Sequence, residues 1–119
     1  MQFLVIGYDG KDEKAMDRRS AARQAHIDLG DELVASGNIW YGAVLLDNDE
    51  KMNGTMLMMD FKNHKELDEW LERESYVAGR VWEKIEIYKC KTRDPWQFNR
   101  SKEWFEKRSE SDSQRKIRP

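Results

Sequence analysis

The chain has 119 residues, 39% of them hydrophobic and 37% charged, which suits one soluble domain and leaves no room for a two-domain enzyme. No apolar run approaches the roughly 18 residues of a membrane span, the start Met-Gln-Phe-Leu-Val-Ile lacks the basic region of a signal peptide, and a single cysteine, Cys90, excludes an internal disulfide or a thiolate metal cluster. Net charge is −2, and residues 1–91 carry 13 basic against 18 acidic side chains, so a cytoplasmic protein with no membrane and no nucleic-acid partner is expected.

Residues 2–8, Gln-Phe-Leu-Val-Ile-Gly-Tyr, form a short apolar, β-branched run bounded by Asp9-Gly10, which predicts a strand and a turn. From about Asp12 to Ser36, Ala15, Arg19, Ala22, His26, Leu29 and Leu33 recur at spacings of four and three, one stripe of a long helix. Gly37-Asn38 suits the left-handed conformation in which helices often end. Residues 39–46 and 54–61 predict two strands joined by a polar hairpin loop. Asn63 with Glu66 suits a capping box ahead of a shorter helix with Leu67, Trp70 and Leu71 on its inner stripe. Residues 81–90 predict a last strand. The order β-α-β-β-α-β implies an α+β, ferredoxin-like fold, with two helices over one face of a four-stranded antiparallel sheet.

The other face is informative. Phe3 and Val5 alternate with Leu4, Ile6 and Tyr8, and Leu57, Met59 and Phe61 alternate with Met56 and Met58, so both faces are apolar. A sheet with one solvated face would alternate with polar residues. The helix-free face is therefore expected to meet a second subunit, a homodimer closing two sheets into a dimeric α/β barrel. The other solution folds the tail, with Trp96, Phe98, Trp104 and Phe105, back over it.

His26 lies on the inner stripe of the first helix, either as a core histidine or as a proton-transfer group beside a cleft. Arg23 and Arg19 lie along nearly the same side. A guanidinium beside an imidazole suits an anionic ligand; the plainer reading is an exposed helix edge paired with Asp28 or nearby acids. Asp47 to Met52 starts like a calcium loop but lacks its sharp-turn glycine, and no metal or cofactor is expected.

Residues 1–91 resemble the YCII-related (YciI-like) family. Arg23-Gln-Ala-His26 is similar to its Arg-x-x-His, Gly37 follows the histidine at the family's distance, and Gly42 resembles the glycine of its Gly-Pro step. Tyr76-Val-Ala-Gly ahead of Trp82-Glu83 resembles its stretch before the last strand. The resemblance implies a small dimeric α/β barrel with a His-Asp dyad. The family's Asp-Pro-Tyr is here Glu74-Ser75-Tyr76: the carboxylate is kept, one methylene longer, and the proline that would aim it is lost. Either the dyad persists as His26–Glu74 or the site has decayed into a non-catalytic ligand-binding or interaction module. If it persists, the expected function is acid–base chemistry on a small organic, anionic or aromatic molecule. His26 and Glu74 are then catalytic, with Arg23, Arg19, Ser75, Tyr76 and Gly42 around the substrate. Ser75 adds a hydroxyl, conceivable in a Ser-His-Glu arrangement but more ordinary as a backbone cap.

Residues 92–119 form a basic extension beyond the resemblance, with 8 basic and 5 acidic side chains. Asp94 to Phe98 is expected to dock, Ser101 to cap a helical turn with a Glu103–Lys107 pair, and residues 109–119 to be disordered.

Overall fold

A computed structural model describes residues 1–94, 97, 99–104, 106 and 107. The elements follow in the order β1 (Gln2–Asp9), α1 (Ala15–Ser36), β2 (Ile39–Leu46), β3 (Met52–Asp60), α2 (His64–Arg73), α3 (Ser75–Ala78) and β4 (Trp82–Cys90). The strands form one sheet in the order β2-β3-β1-β4, with every neighbouring pair antiparallel. This is the ferredoxin-like arrangement expected from the pattern.

Local chemistry explains the boundaries. α1 begins three residues later than its stripe suggested, because residues 12–14 form a turn in which the Ala15 N–H donates to the Asp12 carbonyl (3.1 Å). It ends at Gly37, at φ 84°, where the Gly37 N–H donates to Val34 and the Asn38 N–H to Leu33. At α2 the Asn63 side chain accepts from the Glu66 N–H (3.0 Å), while the Glu66 carboxylate reaches one residue further back, to the Lys62 N–H (3.1 Å). β3 begins at Met52 rather than residue 54, so the hairpin loop is shorter than expected. The segment read as a polar turn contains a seventh element, the single helical turn α3.

Register settles the two faces. Phe3 opposes Met59 and Val5 opposes Leu57 on the helix-covered side, where they meet Leu33, Ile39, Phe61, Leu67, Trp70, Tyr76, Val81 and Trp82 in one buried core. Aromatic rings run through this layer from Phe61 to Trp70 (6.3 Å between centroids) and on to Trp82 (6.4 Å). On the helix-free side Leu4 opposes Met58, Ile6 opposes Met56 and Tyr8 opposes Gly54. Leu4, Ile6 and Met56 are half-buried, and Tyr41 and Tyr88 are exposed.

In the extension the Trp104 N–H donates to Ser101 Oγ (3.1 Å), and Lys107 pairs with Glu103 at 2.9 Å. The expected docking of Pro95, Trp96 and Phe98, the Phe105 contribution to the fold-back, and the disorder of residues 109–119 lie outside the described residues. No helix among the described residues is long and apolar enough to cross a membrane.

Candidate functional site

The inner stripe of α1 brings Arg19, Ala22 and His26 over the end of the sheet where α3 leads into β4. Glu74 ends α2 in an extended conformation and starts α3, with its carboxylate accepting from the Tyr76 N–H at 3.1 Å. That hydrogen bond fixes the carboxylate without the family's proline. Glu74 Oε1 then lies 2.6 Å from His26 Nδ1. The Glu74 side chain is 2% exposed and the imidazole 18% exposed.

The imidazole is also held by its ring faces. It stacks on Tyr76 with centroids 3.8 Å apart and planes within 6°, and meets Trp82 edge to face at 6.0 Å. Trp82 lies directly over Gly7, where an added Cβ would sit 2.4 Å from the indole. A glycine in mid-strand is what such a close approach requires. Burial pushes the Tyr76 phenol above its ordinary value, and the Arg19 charge works against that rise.

The expected site residues separate into groups. His26, Glu74 and Tyr76 converge. Ser75 adjoins them, but its hydroxyl donates to the Ala22 carbonyl (2.9 Å), tying α3 to α1, while the cap of α3 is Glu74. Arg23, one turn before His26, is exposed and free of ion pairs with the described residues. Arg19 is not at the exposed helix edge. It is 3% exposed, its Nη1 donates to Asp9 Oδ2 at 2.6 Å, and its guanidinium lies 5.1 Å from the centre of the Tyr76 ring. Asp28 instead accepts from Gln24. Gly42 stands on edge strand β2 opposite Leu57, separated from β4 by the two central strands, with the Leu57 side chain occupying the space a Cβ would need.

Two members escaped the sequence reading. Asp9 was expected in a turn, yet β1 continues through it and buries it. Its signal was available: the alternation Phe3, Val5, Gly7 extends to Asp9, facing the helix stripe that carries Arg19. Trp82 was legible only through Gly7, a gap in an otherwise bulky strand. A cavity of about 530 Å³ lies elsewhere, between the β1–α1 loop and the β2–β3 hairpin, lined by Asp9, Asp12, Met16, Asp47 and Met52 among others; neither His26 nor Glu74 borders it.

Residues 1–91 match the YCII-related domain. The chain belongs to the YCII-related family. The fold of this YCII-related protein is similar to that of the 5-chloro-2-hydroxyhydroquinone dehydrochlorinase TftG from Burkholderia phenoliruptrix, solved in complex with 2,5-dihydroxybenzoquinone. Identity is 20% and the TM-score 0.67, over 78% of this chain and 96% of that one. A dimeric ferredoxin-like protein of unknown function from Jannaschia is similar at 13% identity and a TM-score of 0.45, over 76% of this chain and 98% of that one. Among curated proteins no sequence matches.

Proposed function

We propose that this YCII-related protein is a small-molecule enzyme in which His26, held by Glu74, is the general base, and that it works as a homodimer closed through the helix-free face. The observation that carries the reading is the 2.6 Å contact between His26 Nδ1 and a buried Glu74 carboxylate. A carboxylate accepting from Nδ1–H fixes the tautomer whose Nε2 is unprotonated, and it stabilises the imidazolium formed once Nε2 takes a proton. The contact supports a working pair over a decayed one, because the longer glutamate and the Tyr76 N–H together restore the aim that the lost proline would have provided.

The substrate class follows from the neighbours. The proton moves from an acidic C–H or O–H of the substrate to Nε2, and the electron pair left behind makes the substrate anionic. Exposed Arg23, one turn away on α1, supplies the opposing charge. A small, flat, acidic organic molecule fits this pattern.

The helix-free face supports the homodimer. Of its apolar members Leu4, Ile6 and Met56 are half-buried in the single chain and only Met58 is buried among those on β1 and β3, while its charged members Glu86 and Lys84 already have partners. Tyr88 Oη donates to Glu86 at 2.5 Å and Lys84 lies 5.6 Å over the Tyr8 ring. The Tyr88 hydrogen bond holds the Glu86 carboxyl below its ordinary value. Such a face can close against its own copy without leaving a charge unmatched.

The test is deuterium exchange, followed by NMR, on a panel of small phenols, hydroxyquinones and keto acids. Wild type is expected to speed exchange in at least one compound. His26→Gln and Glu74→Gln should each slow it about 100-fold or more, and Arg23→Gln should raise KM more than it lowers kcat. Wild-type exchange in His26→Gln overturns the reading.

A further inference from the structure

We propose that the buried Asp9–Arg19 ion pair is the positioning device of the His26–Glu74 site, acting through the Tyr76 ring; this rests on the acid–base reading above. Arg19 and His26 sit seven residues apart, two turns along α1, and both touch that one ring. His26 stacks on it at 3.8 Å, and the Arg19 guanidinium lies 5.1 Å from its centre. Asp9, at the end of β1, holds the guanidinium at 2.6 Å with both side chains nearly buried, at 4% and 6% exposure. Tyr76 in turn gives its backbone N–H to the carboxylate that holds the imidazole. One residue thereby fixes both partners, its ring setting the imidazole plane and its N–H setting Glu74.

Stability is a poor reason for such a pair. Taking two charges out of water costs about as much as their attraction returns, and apolar replacements of buried pairs are often neutral or stabilising. Here the balance is worse than usual, since Asp9 Oδ1 is buried without a hydrogen-bond partner among the described residues. What a guanidinium supplies that an apolar side chain does not is a planar cation attracted to a π face and held in place by a carboxylate. Its position at Tyr76 puts that property where it orients the proposed base.

The experiment reads the imidazole directly. In the full-length protein, the ring protons of His26 are expected to carry an upfield displacement from stacking on Tyr76, and long-range proton–nitrogen spectra report its tautomer. Arg19→Met and the charge-free double variant Asp9→Leu/Arg19→Met are both expected to lose more than about half of that displacement and to mix the tautomers. The double variant should melt above Arg19→Met, which strands Asp9 without its partner. Leu33→Ala, in the buried core at the far end of α1, should lower the melting temperature without moving the His26 signals. A folded double variant with wild-type His26 shifts and tautomer overturns the proposal. Glu74→Gln separates this failure from the other: an unchanged tautomer there sinks the acid–base pair itself, whereas a changed tautomer with intact stacking in the Arg19 variants sinks only the positioning role.

Discussion

The helix-covered and helix-free faces of the sheet have similarly apolar alternation, yet they end in different states. On the covered side α1, α2 and α3 bury Phe3, Val5, Leu57 and Met59, and at one end of the same layer the ionisable groups are matched within the chain, Asp9 by Arg19 and Glu74 by His26. On the free side Leu4, Ile6 and Met56 remain half-buried. The difference teaches that the chain completes one side of its sheet by itself. The proposed homodimer completes the other.

The largest expected effect breaks the covered side. Trp70 is 3% exposed and links Phe61 to Trp82 in the aromatic row. Trp70→Ala should cost about 3–5 kcal/mol, the usual range for deleting a buried aromatic ring, read from urea unfolding. A loss under about 1 kcal/mol would show that α2 does not seal this face.

The free side should respond differently. The double variant Ile6→Lys/Met56→Lys places two charges at opposed positions on β1 and β3. Sedimentation should then show a monomer where wild type is expected to be a dimer, with the unfolding midpoint at low protein concentration moved far less than by Trp70→Ala. Self-association that survives both lysines would remove the free face as the interface. A destabilisation as large as that of Trp70→Ala would erase the distinction between the faces.

How much of this was legible depends on what each residue needed. Strand and helix order followed from periodicity, since one-sided burial forces period two in β1 and the three-four spacing in α1. His26 could be named from its place on the α1 stripe, but its pairing with Glu74 only through family resemblance, because no spacing rule spans a separation of 48 positions; their contact is made by the fold. α3 was read as a turn because four residues are too few to show a helical period. Asp9 was read as a turn residue, and its pairing with Arg19 of the α1 stripe was missed, for a physical reason as well: charged residues are rarely buried, so composition argues for the surface unless both partners are seen to face each other across β1 and α1. Gly42 matched a family position, but on its edge strand it is explained by the Leu57 side chain packed over it.

The smallest expected effect sharpens the contrast between inside and outside, and two adjacent arginines provide it. Arg19 pairs with Asp9 under α1, whereas Arg18 forks onto Asp12 in the open, at 2.6 and 2.8 Å. The Arg18 hydrogen bonds hold the Asp12 carboxyl well below the usual aspartate range. A carboxyl lowered by folding contributes stability that is present above its unfolded value and is lost as pH falls through its folded value. Unfolding midpoints of wild type and Arg18→Gln should therefore differ slightly at neutral pH and converge on acidification below the ordinary aspartate range near about pH 4. Added salt should shrink that difference, because exposed charges are screened, while the effect of Arg19→Met persists because a buried pair is screened far less. Equal salt sensitivity in the two variants would mean that water reaches Asp9 and Arg19, and the enclosed end of the covered face would then be open to solvent.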